Sequence, residues 1–183
     1  PKSHDVEFYY DFDVGRAFTP DDLAIIAAEM QKLIDERVAF SRKSLPKQQA
    51  RALFAELGQR FKDEILDWIP DEQVSVYQCG DFVDLCRGPH VPHAGFIKAF
   101  KLISNSGSYW RADSHREMLQ RITGIAFPSA KDLVAHLERL EEAKKRDHRK
   151  IGKEMDLFSF HLEGPGFPFF HAKGTTLYQT LLD

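Results

Sequence analysis

At 183 residues the chain is long enough to bury a hydrophobic core and to form one or two domains. Its 43% hydrophobic and 29% charged residues are typical of a globular protein. The net charge of −3 excludes a generally basic nucleic-acid-binding protein, so any binding of nucleic acid has to be local. The two cysteines are too few for a disulfide framework.

Targeting and membrane-spanning segments are not predicted. No apolar run approaches the roughly 18–20 residues that cross a bilayer. The chain does not open with a basic segment followed by an apolar one. We therefore expect a cytoplasmic protein without a membrane partner. Because the chain starts without Met and stops inside a helical pattern at 177–183, we also expect it to be a piece of a larger protein.

An aromatic run at 6–12 predicts a strand, and the first predicted helix follows it. Thr19 is a suitable N-cap and Pro20 suits the first helical position. Apolar residues then recur at helical spacing to about Val38, which predicts an amphipathic helix. Its stripe of Met30 and leucines is expected to lie in the core.

The next stretch predicts a short strand, a helix and a hairpin. Residues 40–45 form the strand, and a helix that starts after Pro46 and stops at Gly58 follows. Residues 74–79 form a second strand, and Gly80-Asp81 is expected to turn it tightly into the next one. The helix is expected to bury four apolar side chains: Ala50, Leu53, Phe54 and Leu57.

Further strands are predicted at 99–103, 109–111 and 120–127, with a turn at 105–108. The part from 1 to 127 is therefore assigned to the α+β class, with an antiparallel sheet and packed helices.

A long polar helix is predicted between two domains. It runs from about Ala130 to Ile151 within a connector at 128–152, with a thin leucine seam and charges almost all round. Such a helix is typical of a solvated connector. Its basic cluster at 144–150 also allows contacts with phosphates. From 153 to 183 the composition changes to Gly, Pro and aromatic residues, which indicates the start of a second domain.

The densest set of reactive side chains lies between Cys79 and His93. In an extended strand, Asp84 and Cys86 share one face and the apolar residues between them share the other. The strand is expected to end at Gly88-Pro89, because proline lacks a backbone donor and disfavours helix before it. The turn that follows can bring His90 beside Cys86. Cys79 is expected to be a buried structural cysteine.

These residue types leave three chemistries open. A thiol beside an imidazole can form a Cys–His nucleophile. Cys86 and His90 are also good zinc ligands, although a zinc site normally needs three or four. Alternatively, His90 or Asp84 can position a water molecule for general acid–base work. The spacing does not choose among the three, and the pattern alone selects neither Tyr10 nor Lys62.

Five segments, in order along the chain, resemble the threonyl-tRNA synthetase family of class II aminoacyl-tRNA synthetases. They are Phe8-Tyr-Tyr-Asp11, the run Asp84-Leu-Cys-Arg-Gly-Pro-His-Val-Pro92, Gly107-Ser-Tyr-Trp-Arg-Ala-Asp113, Met118-Leu-Gln-Arg-Ile-Thr-Gly124 and Lys144-Lys-Arg-Asp-His-Arg-Lys-Ile-Gly152. The resemblance covers essentially the whole chain. It implies an editing domain at 1–127, a connector helix at 128–152 and the beginning of the catalytic domain at 153–183.

By this resemblance, the parent enzyme attaches threonine to tRNA(Thr) with ATP, and the editing domain hydrolyses serine wrongly attached to that tRNA. The resemblance places Cys86 and His90 in the editing pocket together with Asp84, Lys62 and Tyr10. It implies that Lys62 and His90 handle water and proton transfer, and that Asp84 and Tyr10 contact serine and ribose. ATP, Mg and Zn are implied for the full-length enzyme, as is a homodimer formed through its catalytic domain. Editing itself is expected to need no cofactor.

The chain departs from the family pattern in one place that affects the pocket. The family also uses a His-x-x-x-His pair upstream of the aromatic strand, and this chain has none, so one wall of the pocket is expected to be missing. Arg111-Ala112-Asp113 stands where Arg-Gly-Asp is more usual. Two other functions are therefore kept open: a tRNA-docking module without catalysis, and a free-standing, metal-dependent trans-editing hydrolase.

Overall fold

A computed structural model describes residues 6–182. The chain divides into two compact units, Pro1–Ala130 and Lys131–Asp183. Among the described residues, none of the helices combines the length and the apolar character needed to cross a membrane. The strands are β1 Glu7–Phe12, β2 Phe40–Pro46, β3 Gln73–Cys79, β4 Phe82–Leu85, β5 Ala99–Tyr109, β6 Met118–Phe127, β7 Phe158–Ser159 and β8 Phe169–Phe170. The helices are α1 Pro20–Asp35, α2 Lys47–Glu56, α3 Arg60–Trp68, α4 Ala130–Lys145, α5 His148–Glu154 and α6 Ala172–Leu182.

The first unit contains two three-stranded sheets. One has the order β1-β6-β5 and the other β2-β3-β4, and every pair in them is antiparallel. The predicted α+β class, with antiparallel strands and packed helices, is confirmed. In the second sheet β3 and β4 form the predicted tight hairpin, and Gly80 in its turn has a φ of +57°, which glycine adopts without a steric penalty.

Helices α2 and α3 cover one face of the β2-β3-β4 sheet. Phe54 and Leu66 from the two helices are almost completely buried, together with Ala50 and with Val74 and Val76 of β3. The predicted burial of Ala50 and Phe54 is confirmed, whereas Leu57 is 46% exposed. The helix ends at Glu56, and Gly58 beyond it has a φ of +67°.

Helix α1 begins as predicted and packs less deeply than predicted. Thr19 caps it, with a reciprocal pair of hydrogen bonds to Asp22. The helix ends at Asp35, three residues before Val38, and Arg37 adopts a positive φ of 54°. No side chain of α1 is fully buried, and Leu33 is 41% exposed, so the expected core stripe is wrong. The helix contacts β5 and a short 3₁₀ helix at Ala94–Phe96.

Two other predictions of local structure are corrected. The expected turn at 105–108 is instead part of β5, which pairs with β6 along its length except for a bulge between Leu102 and Ser104. Asn105 is held there because its side-chain amide donates to the carbonyl oxygen of Phe18 at 2.8 Å. Helix α3 was not predicted. Its nine residues are strongly amphipathic, and Leu66 is the one that is fully buried.

The second unit begins with the polar connector helix, which is not continuous. α4 ends at Lys145, and Asp147 caps α5 by accepting a hydrogen bond from the backbone N–H of Arg149 at 2.8 Å. Aspartate competes with helical hydrogen bonding through such local bonds, so the predicted helix to Ile151 breaks here. The Arg149 guanidinium also lowers the pKa of Asp147 to about 2.

The rest of the second unit is more regular than its loop-like composition suggests. β7 pairs with β8, and α6 follows directly. His171 joins the two strands to the preceding turn, because its ring nitrogens contact Ser159 at 2.9 Å and Asp156 at 2.8 Å. The assignment of residues 1–127, 128–152 and 153–183 to three functional parts stays a prediction.

Replacing Phe54 with alanine should strongly destabilise the first unit. The side chain is only 1% exposed, so its loss leaves a cavity that costs about 3–5 kcal/mol. Leu57→Ala on the same helix end is the control, because Leu57 is already 46% exposed. Urea denaturation followed by circular dichroism measures both. Equal losses of stability in the two variants would contradict the assigned core.

Candidate active site

The candidate site lies on the face of the β2-β3-β4 sheet that is turned away from the α2 and α3 core. Val83 and Leu85 of β4 pack against the buried core, as the alternating pattern predicts. Asp84 lies between them and therefore points to the other face. Its cross-strand partner is Tyr77, whose side chain shares that face. The helices thus pack against the apolar side of the hairpin, and its polar side carries the candidate site.

Cys86 and His90 are brought together as predicted. The His90 Nε2 atom lies 3.0 Å from the Cys86 Sγ atom. The backbone N–H of Gly88 also donates to this sulfur at 3.3 Å, and the Ser75 hydroxyl donates to the Cys86 carbonyl oxygen at 2.5 Å. Strand β4 ends at Leu85, three residues before Gly88, where it was predicted to stop. The irregular segment that follows turns His90 back toward the sulfur.

Tyr77 holds the His90 ring in place. The centroids of the two rings are 4.1 Å apart, with an angle of 21° between the ring planes. The centroid of the Phe40 ring lies 5.3 Å from that of the imidazole. Gly88 makes this possible, because a Cβ atom there would overlap the Tyr77 ring. Tyr77 was not selected from the sequence. The available signal was its place on β3 opposite Asp84, which becomes visible only when the hairpin register is known.

Lys62, Asp84 and Tyr10 form a second group beside this pair. The Lys62 ammonium forms an ion pair with Asp84, and the two side chains are 17% and 20% exposed. The Tyr10 hydroxyl donates to the other carboxylate oxygen of Asp84 at 2.8 Å and lies 3.5 Å from Lys62 Nζ. Burial first, and then the Asp84 charge and hydrogen bond, raise the pKa of Tyr10 far above its ordinary value. Tyr10 therefore stays a neutral hydrogen-bond donor at physiological pH.

The five residues come from different parts of the chain. Tyr10 belongs to β1, Lys62 to α3 and Asp84 to β4, while Cys86 and His90 lie in the turn after β4. All five residues named from the sequence therefore lie within two contact groups separated by one residue, Leu85. Cys79 lies outside both groups, and burial raises the pKa of its thiol.

Glu64 fixes the helix that carries Lys62. Its carboxylate accepts two hydrogen bonds from the Arg116 guanidinium, at 2.6 and 2.9 Å, and one from the Trp110 indole at 3.1 Å. The bonds from Arg116 and then Trp110 lower the pKa of Glu64 to about 2. Because Arg116 precedes β6 in sequence, these bonds tie α3 to the other sheet of the first unit.

The basic cluster of the polar helix is less available for phosphates than its sequence suggests. Lys144 and Lys145 contact Glu141 and Glu142 at 2.7 and 2.9 Å. Arg146 also lies 3.6 Å from Glu142. Most of the positive charge of this segment is therefore balanced within its own helix.

The Cys86–His90 pair does not by itself form a zinc site. Within residues 6–182, no group of three or more His, Cys, Asp or Glu side chains is arranged to hold a metal ion. A structural or catalytic zinc needs at least three protein ligands, and this pair supplies two. The 3.0 Å separation is a hydrogen-bond distance, whereas two ligands of a tetrahedral zinc lie about 3.5 Å apart.

The hairpin that carries the candidate site matches a known domain family. Residues 74–123, which include β3, β4, Cys86 and His90, match the family described as the threonyl and alanyl tRNA synthetase second additional domain. This match covers the hairpin that carries the candidate site.

The comparison with whole proteins is more specific. The chain is 53% identical over 182 residues, 99% of its length, to a threonine--tRNA ligase of Nitratidesulfovibrio vulgaris. It is 53% identical over 175 residues to that of Legionella pneumophila and 51% identical over 175 residues to that of Methylococcus capsulatus. It spans only 28% of the length of the first of these relatives. The resemblance to the threonyl-tRNA synthetase family is therefore confirmed, for a section of the enzyme that contains the second additional domain.

The Glu64 contacts should make the stability of the first unit depend on pH. The folded-state pKa of about 2 lies below the ordinary 4.5, so this carboxylate stabilises the fold above about pH 4.5. That contribution is lost as the pH falls toward about 2. Glu64→Gln should therefore be less stable than the unmodified chain at pH 7 and equal to it near pH 2. Urea midpoints across this range measure the difference. The control, Glu56→Gln at the exposed end of α2, should show no such convergence.

Tyr77 should control the reactivity of Cys86 through His90. Replacing Tyr77 with leucine removes the stacking surface and frees the imidazole from the sulfur. The rate of Cys86 alkylation by iodoacetamide, measured from pH 5 to 9 in a Cys79→Ser background, should then follow the profile of His90→Ala. Tyr77→Phe keeps the ring and should keep the original profile. If the leucine variant is folded by circular dichroism and keeps that profile too, the positioning role is wrong.

Proposed function

We propose that the first unit hydrolyses serine that has been wrongly attached to tRNA(Thr), as the editing domain of a threonyl-tRNA synthetase. The observation that carries the proposal is the convergence of Lys62, Asp84 and Tyr10 beside the Cys86–His90 pair. Acid–base groups, a positive charge and hydrogen-bond donors are what ester hydrolysis requires. They lie together in one partly buried place rather than scattered over the surface.

A second site is needed because threonine and serine differ by one methyl group. A pocket that accepts threonine can discriminate against the smaller serine by only about 1–3 kcal/mol. This corresponds to roughly 10- to 200-fold, which is too little for accurate protein synthesis. When a second, hydrolytic site removes serine from the tRNA, the overall selectivity is the product of the selectivity of attachment and the selectivity of hydrolysis.

The residues support a water-dependent mechanism. The water oxygen bonds to the ester carbonyl carbon while a proton passes from the water to His90 Nδ1, because Nε2 already contacts the Cys86 sulfur. The carbon–oxygen bond to the ribose then breaks, and the ribose oxygen takes the proton that His90 received. The products are free serine and tRNA with its hydroxyl restored. Lys62 supplies positive charge for the developing oxyanion, and Tyr10 with Asp84 contacts serine and ribose.

Cys86 takes part in this proposal by orienting His90. Its sulfur is engaged by the imidazole and by the Gly88 N–H. The alternative is that Cys86 attacks the ester itself and forms a thioester before water enters. The two mechanisms predict different activities for Cys86→Ala. If Cys86 only orients His90, the variant should retain part of the hydrolysis rate. If Cys86 is the nucleophile, the variant should have no activity.

The whole parent protein is proposed to be a threonine--tRNA ligase, which is the name that the relatives carry. Its partners would be tRNA(Thr), threonine and serine, and its compartment the cytoplasm. ATP, Mg and Zn, together with homodimerisation, belong by family resemblance to the catalytic domain, of which this chain carries only residues 153–183. The tRNA-docking alternative loses support because its basic helix is balanced by neighbouring glutamates.

Deacylation of serine-charged tRNA(Thr) tests the proposal. His90→Ala should reduce the rate about 10²- to 10⁴-fold, the usual contribution of general acid–base catalysis. His115→Ala, an exposed histidine away from both contact groups, is the matched control and should leave the rate unchanged. Unchanged hydrolysis in both Cys86→Ala and His90→Ala would reject the assignment.

The same assay should be run on a fusion that supplies the upstream wall of the pocket. The family resemblance places a His-x-x-x-His element before the aromatic strand, so the corresponding segment of the 53% identical relative is joined ahead of Pro1. Serine release should increase in the fusion and should still depend on His90. Absence of hydrolysis in both forms, with tRNA bound, would favour the docking module.

A further inference from the structure

A second groove opens beside the candidate site, around the end of β4. It has a volume of about 730 Å³. Its walls come from the polar face of β2 and β3, the end of α3 and the segment after β4. The residues used below are Arg42, Ser44, Trp68, Ser75, Cys86 and Arg87.

This groove meets the site at Cys86. The cysteine forms part of its wall, while Tyr10 and Lys62 line a neighbouring groove of about 420 Å³. Ile65 borders both grooves, so they are adjacent. A molecule lying in the larger groove would therefore extend away from the point at which the proposed ester is cleaved.

The two arginines of the groove are exposed and have no recorded carboxylate contact within residues 6–182. Of the seven other arginines in the first unit, all except Arg37 form ion pairs with acidic side chains, namely Arg16, Arg51, Arg60, Arg111, Arg116 and Arg121. Asp71 is the one carboxylate in the lining of the groove. The groove therefore offers positive charge to a ligand.

The cross-strand register places Arg42 toward the candidate site. Arg42 pairs with Tyr77 and Ser44 pairs with Ser75, so these side chains share the face that carries Asp84. Lys43, between them on β2, pairs with Val76 and lies on the opposite face. The strand thus presents a cation and hydroxyl groups to the groove from alternate positions.

Trp68 adds an aromatic surface at the other wall. Its side chain is 66% exposed although tryptophan is usually well buried. The Arg111 guanidinium covers one face of its ring, which leaves the other face for a ligand. Unpaired arginines next to an open aromatic ring are the features that bind single-stranded nucleic acids, through phosphates and stacked bases.

We propose that this groove binds the single-stranded RNA end that carries the amino acid ester. Arg42 and Arg87 contact its phosphates, and Trp68 stacks on one of its bases. The inference rests on the proposed function, because that function supplies an RNA whose 3′ end must lie at Cys86 and His90. The neighbouring groove is a poorer choice, since its cations Lys62 and Arg60 are already paired with Asp84 and Asp13.

Binding of a graded set of RNA probes tests the proposal. The probes are oligoribonucleotides of one to four nucleotides whose 3′-terminal adenosine carries serine through a non-hydrolysable amide. Affinity for the full 183-residue chain should increase as nucleotides are added on the 5′ side. With two phosphates bound, the salt slope is about −1.4, so affinity should fall about sevenfold between roughly 50 and 200 mM salt.

Variants of the groove should remove only the gain from the added nucleotides. Arg42→Ala and Arg87→Ala should each reduce the salt slope by about 0.7 while leaving the affinity for the seryl-adenosine probe unchanged. Trp68→Ala should weaken binding of the longer probes about fivefold or more. Lys43→Ala is the matched control: it removes a charge from the same strand but from the opposite face, and should have no effect.

The outcomes separate this proposal from the proposed function. Affinity that does not depend on probe length, or an equal loss in Lys43→Ala and Arg42→Ala, overturns the groove assignment. Length-dependent binding that needs Arg42 and Arg87, when neither the chain nor the fusion with the upstream segment releases serine, supports the groove and rejects the hydrolysis. Thermal unfolding of each variant ensures that a lost signal reflects the removed side chain.

Discussion

The ion pair between Lys62 and Asp84 joins α3 to the hairpin strand β4, and the candidate site depends on it. It can form only because the apolar faces of the helix and the hairpin pack against each other through Leu66, Val74 and Val76. This packing brings Lys62 of α3 within reach of Asp84. Removing either charged partner would leave the other poorly compensated in a largely covered position, which is costly.

The site is divided between a rigid and an irregular part. Tyr10, Lys62 and Asp84 are held by regular elements, and the hydrogen bonds of Glu64 tie α3 to the β1-β6-β5 sheet. Cys86 and His90 lie instead in a turn, where Tyr77 and the small Gly88 determine the orientation of the imidazole. Stacked rings and backbone N–H groups hold the side chains of this turn in place, much as hydrogen bonds between strands hold the residues of a sheet.

Charge pairing distinguishes the surfaces of the first unit. Most of its arginines form contacts with acidic side chains. The acidic residues are therefore largely used in pairs, and a chain with a net charge of −3 can still have a local surface with unpaired positive charge. Arg42 and Arg87 supply that surface beside Cys86. In the second unit, the basic residues that are most conspicuous in the sequence are balanced by Glu141, Glu142 and Asp147. The run of positive residues is therefore more fully paired with carboxylates than Arg42 and Arg87 are.

Local patterns determined much of this protein from the sequence alone. The alternation around Asp84 settled which side chains face the core, and Thr19 with Asp22 defined the start of α1, because these features depend on neighbours a few residues away. Family resemblance, rather than pattern, pointed to Tyr10 and Lys62. Only the tertiary structure decided that Asn105 lies in a strand, that the polar helix breaks at Asp147, and that Tyr77 stacks on His90. The strand at Asn105 and the stacking of Tyr77 on His90 depend on residues that are distant along the chain. The helix break depends on the Asp147 side chain competing with helical hydrogen bonds, which residue spacing does not encode.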